Sequence, residues 1–86
     1  MQSLDAEILA LKALTFLAQS PEDLERFVTL SGVTPPTLRE RADEPEILAA
    51  VLDFLLADDA RVTAFCESAS IDPQTLQAAR RALPGA

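Results

Sequence analysis

Glu46-Ile47-Leu48-Ala49-Ala50-Val51-Leu52-Asp53-Phe54-Leu55-Leu56-Ala57 is the stretch that decides the fold. Its two acids stand seven residues apart, so on an α-helix they share one line, and every other side chain is apolar. A helix apolar around nearly its whole girth is buried against several neighbours. The start of the chain reads the same way: Leu4, Ile8, Leu9, Leu11, Leu14, Phe16 and Leu17 leave a thin polar line at Asp5, Lys12 and Gln19. These two helices form the expected central pair, with Leu14, Phe16, Leu17, Leu52, Phe54 and Leu55 largely buried.

Start signals around them divide the chain further. Ser20-Pro21, Thr34-Pro35 and Asp72-Pro73 each set a capping side chain before a proline at the first helical position. Asp43-Glu44-Pro45-Glu46 offers an Asp cap with Glu three residues on, and Ser3 and Asp58 are the caps expected for the other two helices. Gly32 is the clearest stop. The spacing predicts six helices near 4–19, 21–31, 35–42, 44–57, 59–69 and 73–83. The second and fifth carry ordinary apolar stripes, Leu24, Phe27, Val28, Ser31 and Val62, Phe65, Cys66, Ala69, at i, i+3, i+4, i+7. The fold class is therefore all-α: six short helices in one compact domain spanning 1–86.

The composition agrees. The 86 residues are 49% hydrophobic, with no Trp or Tyr and two Gly, which suits helices better than sheets. Hydrophobic gain and ordering cost nearly cancel for so short a chain, which leaves oligomerisation open. Fourteen acids against seven bases leave a net charge of −7, which repels nucleic-acid phosphate and anionic membrane alike. The apolar stretches are broken by Lys12, Thr15 and Asp53, too often for a bilayer span. The start, Met1 to Glu7, is acidic where a secretory signal is basic, and the single Cys66 has no internal disulfide partner. A cytoplasmic location is the expectation.

A shift of 38 lays residues 9–42 on 47–80 without a gap. Identities fall at Leu14/Leu52, Phe16/Phe54, Leu17/Leu55, Phe27/Phe65, Pro35/Pro73, Thr37/Thr75 and Leu38/Leu76. The caps align as well, Ser20 on Asp58 and Thr34 on Asp72. Cap-and-stripe patterning makes any two helical segments look somewhat alike, yet here cores, caps and prolines keep one order over three helices. Two copies are too few for a solenoid. They suit two three-helix units closing about a pseudo-twofold axis, with the two apolar helices between them.

Three segments, Leu9–Ala18, Arg26–Val33 and above all Val51–Asp58, resemble a family of short uncharacterised bacterial proteins, the domain of unknown function 3572 family. The resemblance covers nearly the whole chain. It implies a compact, stand-alone helical protein and supplies no activity, ligand or catalytic residue.

The residues themselves offer little chemistry. Without histidine there is no Ser-His or Cys-His nucleophile pair and no His-bearing metal site. Cys66 sits in a core stripe, as a structural cysteine does. The acidic clusters at Glu22/Asp23/Glu25, Asp43/Glu44/Glu46 and Asp58/Asp59 all fall at helix starts, where the helix dipole favours them, and none has calcium-loop spacing. Asp53 alone interrupts an apolar helix and reads as a solvent-facing edge, with a buried pairing to Lys12 as the other option. Arg39, Arg41, Arg80 and Arg81 fall near the ends of the third and sixth helices, as dipole complements or as a basic pole for an anionic partner. Phe27 to Leu38 has the outline of a helix-turn-helix, but Pro35-Pro36 and a near-neutral exposed set oppose a groove-binding role.

The leading reading is a small non-catalytic module, not an enzyme, needing no cofactor or metal, that binds another protein or itself through apolar helix surface. The alternative is an acidic helix-turn-helix-like accessory factor acting near nucleic acid, and a hydrolase or metalloenzyme comes third. The expected surface is part of Leu4, Ile8 and Leu11, because a first helix apolar on most sides has fewer neighbours to cover it.

Overall fold

Prolines and capping side chains set the helix starts. Four helices open on proline: α2 (Pro21–Ser31), α3 (Pro35–Arg41), α4 (Pro45–Leu56) and α6 (Pro73–Arg81). Proline's fixed φ suits the first turn, and the residue before it is pushed into extended backbone, the geometry of a cap. Ser20, Thr34 and Asp72 use that geometry, accepting hydrogen bonds from the backbone N–H groups of Asp23, Thr37 and Thr75. Asp58 caps α5 (Asp59–Ala69) through the N–H groups of Ala60 and Arg61. With α1 (Ser3–Ala18) these make the six helices of the computed structural model, which describes residues 2–84.

Two starts differ from the sequence reading. The cap of α4 is Glu44 rather than Asp43, because Pro45 takes the first helical position and makes its immediate neighbour the extended residue. The Glu44 side chain makes no capping bond and pairs with Arg41 instead. The cap of α1 is Gln2 rather than Ser3, since the Ala6 N–H closes the first turn on the Gln2 carbonyl.

The α1 and α4 helices pack together at the centre, and α6 lies on both. The α2 and α5 helices flank this group, each touching both α1 and α4. By contrast α3 makes only slight contact with any other helix. The Cα radius of gyration, 11.6 Å, is close to the ~12 Å expected for a compact chain of this length.

The core holds Leu17, Leu48, Val51, Leu52, Leu55, Phe27, Phe65 and Leu76, each almost fully buried, with Phe54 close behind. Leu14 and Phe16, expected to be largely buried, are only half-buried. Leu14 faces the side that α3 leaves open, and the Phe16 ring lies at the core's edge against Phe65.

Several features recur 38 residues apart. Gly32 ends α2 at φ +76° and Ser70 ends α5 at φ +58°, both left-handed, each N–H bonding the carbonyl four residues back. No atom lies near where a Cβ on Gly32 would sit, so backbone conformation alone asks for glycine there. Phe16 meets Phe65 edge-on at 5.4 Å between ring centres, and Phe27 meets Phe54 edge-on at 5.6 Å. Asp23 and Arg61, equivalent under the shift, bond each other at 3.1 Å. The third helices break the correspondence, since α6 packs on three helices while α3 stands nearly alone.

Candidate interaction surface

The α1 helix buries Ala6, Leu9, Ala10, Ala13 and Leu17. Leu4, Ile8 and Leu11 follow one another at i, i+4 and i+7 on a different side and stay exposed by 65%, 47% and 40%. The expected face is thus uncovered by the chain's own helices. Glu7 and Lys12 border it on opposite sides, and neither forms an ion pair among the described residues. Leu30, exposed by 72% on α2, was not singled out from the sequence because it falls off that helix's Leu24–Phe27–Val28 stripe.

Toward its C-terminal end the same helix borders a groove of about 330 Å³. Leu14 and Ala18 of α1, Leu24 and Val28 of α2, and Pro35 and Leu38 of α3 line it, with Arg39 at one side. The cause is the composition of α3. In α6, Leu76 and Ala79 are buried and Leu83 continues the seal. The equivalent of Ala79 in α3 is Arg41, so α3 offers Leu38 alone as an apolar anchor.

The four arginines of the suggested basic pole differ in their engagements. Arg80 spans to α4, donating from Nε to Asp53 Oδ1 at 2.6 Å and from Nη2 to Oδ2 at 3.2 Å. Its Nη1 also donates to the Pro84 carbonyl at 3.2 Å. Asp53 is therefore a solvent-facing edge, as one reading had it, but with Arg80 rather than Lys12 as partner. Arg41 holds Glu44, raising its own affinity for the proton and drawing the carboxyl below its usual range. Arg39 and Arg81 are exposed and without ion pairs among the described residues. In the helix-turn-helix-like segment, Thr37 is half-buried and its hydroxyl accepts from that of Thr34.

The most enclosed charged cluster went unforeseen. Arg61 donates to Asp58 at 3.0 Å and to Asp23 at 3.1 Å, with its guanidinium carbon 4.5 Å from the centre of the Phe54 ring. The available signal was the offset of 38, which sets opposite charges at equivalent positions. The cluster clamps α2 to α5 and leaves Arg61 little exposed.

Cys66 is buried, and that burial, with the Asp72 carboxylate adding to it, pushes its thiol above the ordinary range. Among the described residues no helix is long and apolar enough to cross a membrane, and no cluster of acids or thiol could hold a metal ion.

Neither a curated protein nor a solved structure matches the chain. Residues 3–86 do match one family model, that of the family anticipated from Leu9–Ala18, Arg26–Val33 and Val51–Asp58. The chain belongs to the family described as "Protein of unknown function (DUF3572)".

Proposed function

We propose that the protein is a small, non-catalytic interaction module that binds protein through the outer face of α1. The observation that carries this reading is the exposed row Leu4, Ile8 and Leu11. An exposed apolar row in so small a chain is costly in water and supports a binding role for this face. Chain chemistry supports the non-catalytic part: there is no histidine, and the one thiol is buried and held protonated. Engagement of Thr37 and Arg41 within the chain supports a protein partner over nucleic acid. The lone cysteine and broken apolar runs support a cytoplasmic setting. The features recurring at an offset of 38 support a duplicated three-helix unit as the origin of the scaffold.

The test is photo-crosslinking in the native cell from a reactive residue placed at Ile8. Defined adducts, with the chain itself or with other proteins, are expected. They should vanish when Leu4→Glu is added, while helical circular dichroism stays unchanged. Adducts indifferent to Leu4→Glu would overturn the assignment to α1.

A further inference from the structure

The groove between α1, α2 and α3 is lined by α3 but not filled by it. Pro35, Leu38 and Ala42 stand at i, i+3 and i+7 and form one wall, with Leu14, Ala18, Leu24 and Val28 making the others. Of these only Leu38 is buried, and the rest stay at least partly in water around about 330 Å³ of open space. The residues 38 positions on from Leu14, Leu24, Val28 and Leu38 are Leu52, Val62, Cys66 and Leu76, all buried. Two wall positions differ in kind between the halves. Ala18 stands where the other half has Leu56, so α1 leaves space where a larger side chain would project. Arg39 stands where it has Gln77, so the one charge on the groove belongs to this half alone. No acid lines the groove, and Arg39 forms no ion pair among the described residues. Its stem can cover apolar surface while its head stays in water.

We propose that this groove binds an unbranched aliphatic carboxylate of medium chain length, its tail inside and its carboxylate on Arg39. Seven apolar side chains, with no acid and no neutral hydrogen-bonding side chain among them, suit a hydrocarbon. A single unpaired guanidinium at one side suits one carboxylate, which it can bind with two parallel hydrogen bonds. The volume sets the size: about 330 Å³, at ~30 Å³ for each water-sized group, admits roughly ten non-hydrogen atoms, as many as octanoate has. A further helix is a poorer occupant, since a helix is ~10 Å across and α3 already stands on that side through Leu38. A single hydrocarbon chain is far slimmer. The net charge of −7 opposes anions at long range, but salt screens it beyond ~8 Å, and Arg39 acts at contact. Because α3 is held only slightly by the other helices, it can move aside to admit the chain and settle on it afterwards. The site uses none of Leu4, Ile8 and Leu11, so it stands or falls apart from the outer face of α1.

Titration of the intact protein with sodium octanoate, followed by methyl NMR, tests it. Saturable shifts are expected at Leu14, Leu24, Val28 and Leu38, with Leu4, Ile8 and Leu11 unmoved. Amide exchange in α3 should slow on binding. Hexanoate should bind about tenfold more weakly, since each buried CH2 contributes a factor of about three to four. 1-Octanol, equal in length but uncharged, should also bind about tenfold more weakly. Arg39→Gln should lower octanoate affinity to the 1-octanol level and leave 1-octanol binding unchanged. Ala18→Leu should weaken both ligands about tenfold, with circular dichroism unchanged, because the added side chain occupies part of the space. Absence of saturable shifts up to millimolar octanoate overturns the site, as do shifts confined to Leu4, Ile8 and Leu11. Equal affinity for octanoate and 1-octanol, or octanoate binding indifferent to Arg39→Gln, overturns the carboxylate. Binding indifferent to Ala18→Leu overturns the placement of the tail.

Discussion

Single residues in this protein act mostly by joining helices. Arg80 reaches from α6 to Asp53 on α4 with two parallel hydrogen bonds, which explains an acid inside an otherwise apolar helix. Arg61 does the same between α2 and α5. Cys66 is the residue whose state is most open to measurement. Its thiol is pushed up by burial first and by Asp72 second, so the fold disfavours the thiolate. A group of this kind leaves stability intact below the ordinary thiol range, and stability is lost as pH rises through and above it. The melting temperature should therefore fall on going to alkaline pH, and Cys66→Val should make that fall shallower. A thiol reagent should label the native chain far more slowly than the urea-unfolded one. Equal labelling rates would show that the thiol is open to solvent.

At the scale of elements, α3 and α6 share a Pro-x-Thr-Leu opening and a side-chain cap but differ in how they are held. Local signals make both helical. Only α6 continues with buried Ala79 and Leu83, so only α6 is tied to the rest of the molecule. Removing either cap should cost its helix about 1 kcal/mol. Asp72→Ala should lower the global melting temperature, because α6 cannot fray without exposing the core between α1 and α4. Thr34→Ala should leave the melting temperature nearly unchanged and speed amide exchange in α3 alone. Equal effects on melting would mean that α3 is as integral as α6.

For the whole molecule, the decisive contrast is between two leucines at equivalent positions. Leu52 is fully buried in the centre, so Leu52→Ala should cost about 2–5 kcal/mol. Leu14 is half-buried beside the groove, and Leu14→Ala should cost about 1 kcal/mol in urea-unfolding experiments at low protein concentration.

Element types, and most starts, were legible in the sequence because they rest on local physics. A proline fixes φ at the first turn, the side chain before it binds a free N–H, and a helix apolar on all sides has to be central. The exposed ridge on α1 was legible for the same reason, as an excess of apolar girth over available neighbours. The cap of α4 was misplaced by one residue where the proline's effect on its predecessor outweighed the preference for aspartate. Tertiary structure alone decided the rest: that Asp53 pairs with Arg80, that Arg61 clamps α2 to α5, and that α3 stands off while α6 seals. These depend on which distant segments meet in space, 27 and 38 residues apart in the two ion pairs. Helical periodicity fixes only the direction in which a side chain leaves its own helix. It says nothing of what stands opposite, which emerges only once the whole chain has packed.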